Sequence, residues 1–285
     1  MKLATFTHEG KTRVGAVVGD EIADLSAAGA PATMLALLEG GDAAMAAARA
    51  ALAKAPRIAL SKVRLEAPIA RPPKILAVGL NYRAHAEECG MPIPTFPVIF
   101  NKQSTSACGP FDPVDRPAES EQIDYEGELA VVIGKRCRRV SAAKARSVVA
   151  GYAVANDVSV RDWQLRVPTM TMGKSWDTHC PFGPWITTTD EVADPHNLDL
   201  KTWVNGELRQ NVNTSDLIFN IDAIIEHLST AFTLEPGDVI VTGTPSGVGL
   251  WMNPQSWLRD GDVVRIEISG LGAIENRVVD EGSAA

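Results

Sequence analysis

The chain of 285 residues is 45% apolar and 22% charged, and its 27 Lys and Arg against 35 Asp and Glu give a net charge of −8. That composition excludes intrinsic disorder and leaves room for one large core or two unequal ones. The acidic balance repels phosphate backbones and anionic lipid at long range, so neither nucleic acid nor a membrane surface is an expected partner.

Residues 3–6, 14–18 and 21–23 predict three short strands, separated by Glu9-Gly10 and Gly19-Asp20 turns. From Thr33 to Ala55 the Ala-, Leu- and Met-rich chain predicts two helices broken at Gly40-Gly41-Asp42, with Asp42 capping the second. The run from Ala67 to Pro73 breaks any helix. It marks a boundary between a small N-terminal α/β domain over residues 1–70 and a larger body over 71–285. In the body, residues 75–78, 98–100, 126–133, 148–155, 201–204, 239–242 and 263–268 read as strands, the last ending in a bend at Gly270-Leu271-Gly272. Tyr82 to Glu88 suits a short helix ended by Gly90 and Pro92. Leu217 to Leu228 predicts a longer one, with Ile218, Ile221, Ile225 and Leu228 at helical spacing. The mixture is α+β and β-rich rather than a series of βαβ units.

The longest uncharged stretch, Val239 to Leu258, contains Pro245, Pro254 and three glycines, which argues against a spanning helix. The N-terminus lacks the apolar segment of a secretory signal. Cys89, Cys108, Cys137 and Cys180 are scattered without a C-x-x-C pair, so reduced thiols in a cytoplasmic protein are expected. Gly173-Lys174-Ser175 resembles the end of a P-loop, but Pro168 stands where that motif needs glycine. No G-x-S-x-G elbow and no H-E-x-x-H pair occurs.

Two constellations carry chemistry. In Asp124-Tyr125-Glu126-Gly127-Glu128-Leu129-Ala130-Val131-Val132-Ile133, strand alternation puts Glu126 and Glu128 on one face with Ala130 and Val132. Beyond the glutamates both faces are apolar. Carboxylates pointing inward need a compensating cation, whereas at a wet sheet edge they need none. Asp157 ends another predicted strand and offers a third carboxylate. A set of three without histidine or thiol is a hard, all-oxygen site that favours Mg²⁺ or Mn²⁺, with Ca²⁺ as an alternative, over Zn²⁺. The second constellation is His85 and Glu88, three apart on the short predicted helix. Such a pair is either a solvated surface pair or a general base whose tautomer the carboxylate fixes.

Taken together, six segments resemble the fumarylacetoacetate hydrolase family, in its prokaryotic-type members that include acylpyruvases and 2-hydroxyhepta-2,4-diene-1,7-dioate isomerases. They are Gly79-Leu80-Asn81-Tyr82 with His85 and Glu88, Tyr125-Glu126-Gly127-Glu128-Leu129, Asn156-Asp157-Val158-Ser159-Val160-Arg161-Asp162, Gly173-Lys174-Ser175, Val204-Asn205-Gly206-Glu207, and Thr242-Gly243-Thr244-Pro245-Ser246-Gly247-Val248-Gly249. They follow the family's order over about three quarters of the chain. The first 70 residues match more loosely.

The resemblance implies a mixed β-sandwich roll, usually a homodimer. It makes Glu126, Glu128 and Asp157 ligands of a divalent cation and His85 with Glu88 the catalytic dyad, on a segment that orders over the site when ligand binds. Lys174 matches the active-site lysine. Arg161 and Gln164 match polar groups facing substrate, Thr244 lies in the loop holding its carboxylate end, and Lys102 matches a lysine near the site. Glu87 adjoins Glu88, but the i+3 position fits the dyad better. The implied activity is cleavage of a C–C bond in an acylpyruvate or related 2,4-dioxo acid, through an enolate that the cation stabilises. Oxaloacetate-type decarboxylation and isomerisation or decarboxylation of dienedioates from aromatic catabolism are the alternatives. A non-catalytic binding protein is disfavoured because the matched polar positions are intact.

Overall fold

In the computed structural model, which describes residues 1–282, the strand Gly127–Ile133 is buried along its whole length. Its residues alternate as the sequence predicts. Leu129, Val131 and Ile133 enter one hydrophobic cluster, and Ala130 and Val132 enter another on the opposite face. The strand lies inside a 12-stranded mixed sheet. On one side it pairs antiparallel with Val149–Asn156, followed by Cys180–Thr188 and then Lys2–His8, Lys11–Val18 and Glu21–Asp24. On the other it pairs with Val239–Val241, which runs parallel to Ile75–Gly79, and Val98–Lys102 forms that edge.

A five-stranded sheet of Glu207–Asn213, Asp199–Val204, Val263–Ile268, Gly272–Asp280 and Val114–Arg116 packs on the Leu129 face. The helix Ile221–Ala231 closes the same core with Ile221, Ile224, Ile225 and Leu228. The helices Met34–Glu39 and Gly41–Ala51 join the core of the other face through Met34, Leu37, Leu38 and Ala48. The result is a strand-rich α+β sandwich without a closed barrel among the described residues. Lys2 and Leu3 pair with Thr187 and Ile186, so the N-terminal strands continue the large sheet across the loop at 66–74. No described helix is long and apolar enough to cross a membrane.

Two local expectations are corrected, and further strands appear. Gly40, not Asp42, occupies the cap position of the second helix; Asp42 sits in the first turn and pairs with Lys135 at 2.8 Å. The long helix begins at Ile221, because the Asn220 side chain accepts a hydrogen bond from the Ala223 N–H at 2.9 Å and sets the N-cap there. Leu217 instead bridges to Tyr82. Cys180–Thr188 and Gly272–Asp280 are strands that the sequence reading leaves unassigned.

One buried side chain ties the future site to this frame. Asn81 donates from Nδ2 to the carbonyls of Thr242 (2.7 Å) and Phe219 (3.0 Å) and accepts from the Phe219 N–H (2.8 Å). Truncation would strand all three backbone groups. Asn81→Ala is therefore expected to lower stability by roughly 2–4 kcal/mol, read as the shift in a urea unfolding midpoint at unchanged slope.

Candidate active site

The antiparallel ladder that pairs Gly127 with Asn156 runs out where the carboxylates begin. The Asp157 N–H donates to the Glu126 carbonyl at 2.9 Å, and the Glu126 N–H donates to the Asn156 side chain at 3.0 Å. These bonds hold two adjacent strand ends side by side and converge Glu126, Glu128 and Asp157, whose carboxylate oxygens lie within 4.8 Å of one another. All three are buried. Gly127 between the glutamates has no room for a side chain, since a Cβ there would lie 2.2 Å from the Thr202 hydroxyl of the facing sheet.

Burying three carboxylates together is costly unless cations face them. Lys174 Nζ lies 2.7 Å from Glu126 and 3.0 Å from Asp157. Arg161 reaches Glu126 at 2.6 Å and Asp124 at 2.7 Å, and Lys102 reaches Asp157 at 2.6 Å. Burial penalises the charge on Glu126, but Lys174 and Arg161 outweigh it and hold its carboxyl down at about 2. Glu128 is the exception. Burial pushes its carboxyl well up, Asp157 and Glu126 push in the same direction, and among the described residues no cation touches it. Its one close partner is the Gly243 N–H at 2.6 Å. The cluster thus sets four buried carboxylates (Asp124, Glu126, Glu128, Asp157) against three buried cations (Lys102, Arg161, Lys174). A hard dication beside Glu128 would supply the missing positive charge, and an all-oxygen donor set fits Mg²⁺ or Mn²⁺.

The helix Arg83–Glu88 carries the second constellation. His85 Nδ1 lies 2.8 Å from Glu88 Oε2, and the other Glu88 oxygen accepts the Gly247 N–H at 2.9 Å. Tyr125 holds that glycine in turn, donating its hydroxyl to the Gly247 carbonyl at 2.7 Å. The pair is therefore not a solvated surface pair, for His85 is buried and Glu88 is anchored to a loop 159 residues away. Cys89 Sγ sits 3.8 and 3.9 Å from the two ring nitrogens. Burial opposes charge on His85, but the contacts with Cys89 and Glu88 outweigh it and raise the imidazole to about 9.

A cavity of about 480 Å³ opens onto these groups. His85, Glu126, Arg161, Gln164, Lys174 and Thr244 line it, and its remaining walls are largely apolar. Glu88 and Asp157 stand directly behind the lining residues His85 and Lys174, and Glu128 lies beside Glu126 in the triad. Lys102 is placed differently from a substrate-facing group. Its Nζ contacts Asp157, the Val158 carbonyl and the Lys174 carbonyl, and it lines a separate cavity near Phe232. Thr244 donates its hydroxyl to the Gly127 carbonyl (3.1 Å) and accepts from Gln210 (2.8 Å). Glu87 makes no contact with His85 comparable to that of Glu88.

Several supporting residues escape the sequence reading. Asp124 binds Arg161 and accepts the N–H groups of Gly249 and Leu250 at 2.8 and 3.0 Å, locking the glycine-rich loop to the strand that bears the glutamates. Gln210, on the opposite sheet, links Gly127, Thr244 and Pro245. Asp124 adjoins the acidic motif and was open to notice. Gln210 carries no local signal, since its partners are about 34 to 83 residues away.

Comparison with known proteins agrees with this geometry. Residues 74–279 match the model of the fumarylacetoacetate hydrolase C-terminal domain. The chain is 46% identical over 251 residues to oxaloacetate tautomerase Fahd2a, mitochondrial, of Rattus norvegicus, covering 87% of this chain and 80% of the rat protein. Maleylpyruvate hydrolase from Sphingobium sp. SYK-6, solved with manganese(II) and pyruvate, superposes with a TM-score of 0.84 at 41% identity, over 98% of this chain and 99% of that one. The 2-hydroxyhepta-2,4-diene-1,7-dioate isomerase of Mycobacterium marinum gives a TM-score of 0.77 at 35% identity, over 99% of this chain and 100% of that one. With the acidic triad, the lysine and the anchored His–Glu pair gathered around one cavity, and with the family model matching residues 74–279, the chain belongs to the fumarylacetoacetate hydrolase family.

Proposed function

We propose that the protein is a Mg²⁺- or Mn²⁺-dependent hydrolase that cleaves the C3–C4 bond of an acylpyruvate or a related 2,4-dioxo acid. The observation that carries the reading is that His85, anchored through Glu88, lines the same cavity as Glu126 of the carboxylate triad. Glu126, Glu128 and Asp157 would hold the divalent cation, which would supply Lewis acidity to the 2-oxo acid. His85, its tautomer fixed by Glu88, takes a proton from water, and the hydroxide adds to C4. Lys174 is placed beside Glu126 to offset negative charge that develops in the site, and Gln164 lines the same cavity. Breakage of C3–C4 leaves the electron pair on C3; protonation there gives pyruvate, and the acyl group departs as a carboxylate. The apolar walls leave room for that acyl group.

A second reading is favoured by the 46% identity to the rat tautomerase. Keto–enol exchange of oxaloacetate uses the same C3 proton without an attacking water, and His85 is the base available for it. The test is a panel of acylpyruvates, fumarylpyruvate and oxaloacetate with Mg²⁺ or Mn²⁺. Pyruvate and a carboxylate in equal amounts, abolished by EDTA, are expected. Loss of the enol absorbance of oxaloacetate without pyruvate release would favour tautomerisation, and turnover of no 2-oxo acid would overturn both readings.

The four cysteines are unpaired, which suits the reducing cytoplasm proposed for the chain. We also propose a homodimer with a two-fold interface formed by the larger body. Light scattering at micromolar concentration is expected to give twice the 30.4 kDa chain mass; a mass near that of one chain would contradict it.

A further inference from the structure

The polar groups at the inner end of the cavity are already engaged with one another. Arg161 and Lys174 are both buried and paired with Glu126, so neither is free to read the far end of a substrate. The outer walls are apolar, with Leu165, Val167 and Met170 contributed by the loop that follows the helix Arg161–Gln164. One cation interrupts them. Arg166 lines the cavity from this loop with its side chain 51% exposed, which puts it at the mouth.

Its guanidinium stacks 3.8 Å from the centre of the Trp163 ring. Trp163 in turn packs edge-on against Trp176, with ring centres 5.1 Å apart. A stacked guanidinium loses orientational freedom while its in-plane donors stay available. The ion pair of Arg166 is loose, 3.5 Å to Asp162 with both groups part-exposed, and contributes little. Asp162 is also shared, since it accepts the Ser120 hydroxyl at 2.5 Å. Among the described residues the Arg166 side chain makes no hydrogen bond.

We propose that Arg166 binds a carboxylate at the end of the substrate remote from the 2-oxo acid group, so that the site selects 2-oxo dicarboxylates over acids with a neutral tail. This rests on the reading of the cavity as a 2-oxo acid site, and narrows it. A carboxylate carried to the mouth along apolar walls meets one planar, pre-oriented cation, where a bidentate charge-assisted pair forms at small entropic cost. A neutral tail of equal length gains the wall contacts and leaves the guanidinium with Asp162 and water.

The test uses the full chain loaded with Mn²⁺ and two six-carbon probes, 2-oxoadipate and 2-oxohexanoate, titrated by calorimetry. Wild type is expected to prefer the dicarboxylate by about tenfold or more. Arg166→Gln is expected to bring the ratio of the two dissociation constants to near one, and Arg166→Lys to keep part of the preference. Equal affinities in wild type, no measurable binding of either probe, or an unchanged ratio in Arg166→Gln would overturn the proposal. If Arg166 served only to brace the loop against Trp163, the variant would weaken both probes alike and preserve the ratio, which also overturns it. Failure to hydrolyse acylpyruvates would sink the proposed activity while leaving this binding ratio to stand, so the two failures read separately.

Discussion

Glu128→Gln is expected to lose cation binding and activity together, yet to be more stable than wild type when both are stripped of metal. Gln keeps the shape of the side chain and its carbonyl still accepts the Gly243 N–H, whose bond to Glu128 is 2.6 Å. What disappears is a buried charge that faces Asp157 and Glu126 with no cation of its own. Because burial and these two neighbours raise the Glu128 carboxyl above its unfolded value, the folded state holds the proton more tightly than the unfolded chain does. The associated stability is complete below the unfolded carboxylate range near 4.5. It is lost as pH rises toward the folded value. In EDTA, then, the wild-type melting temperature should fall with rising pH above that range more steeply than that of the variant. With cation present the order reverses. Binding to the native state alone adds about 2.7 kcal/mol at a hundredfold excess over Kd, and only wild type gains it in full. Melting curves from pH 5 to 8, with EDTA and with Mn²⁺, read both halves. Equal stabilisation of wild type and variant by Mn²⁺ would remove Glu128 from the ligand set.

The same residue shows what the sequence makes legible. Glu126 and Glu128 stand out because a strand that is apolar on both faces beyond them cannot carry charge inward without a partner, and the two hydrophobic clusters now occupy those faces. Helical spacing likewise places His85 and Glu88 together. Local chemistry ends there. Cys180–Thr188 contains Pro181, Gly183 and Pro184, which argue against a central strand, yet it lies between Lys2–His8 and Val149–Asn156. Its neighbours in space, not its own propensity, make it a strand. The alternation of Ile274, Asn276 and Val278 is visible in Gly272–Asp280, but the preceding glycine pair reads as an ending rather than a turn between strands. At the site, the direction in which Lys102 points follows from its place on an edge strand and its contact with the Lys174 carbonyl. Motif spacing carries no such information. The anchoring of Glu88 by the Gly247 N–H depends on a loop that only the folded chain brings near.

His85→Ala is expected to depress acylpyruvate hydrolysis by about two to four orders of magnitude, the usual contribution of a positioned general base. Neither His85 nor Glu88 belongs to the triad, so the affinity for Mn²⁺ should stay close to that of wild type. Oxaloacetate decarboxylation, if catalysed, should suffer less, because CO₂ departs without a nucleophile to activate; tautomerisation, which needs a base at C3, should fall with hydrolysis. The pH profile gives an independent check. A base must be neutral to accept a proton, and in the metal-free protein the contacts with Cys89 and Glu88 keep His85 protonated up to about 9. A bound dication in the same cavity lowers that value, so in the loaded enzyme kcat/KM should rise with pH along a limb lying below 9. Glu88→Gln removes a negative charge 2.8 Å from Nδ1. It should shift the limb to lower pH while lowering the plateau, since the ring is then a weaker base and less firmly oriented. A merely structural role for the helix Arg83–Glu88 would lower the plateau without moving the limb. Single-turnover hydrolysis by wild type and His85→Ala at saturating Mg²⁺ decides the matter, because it isolates the chemical step from product release. Equal rates would mean that His85 takes no proton in the reaction, and that the base lies elsewhere in the cavity.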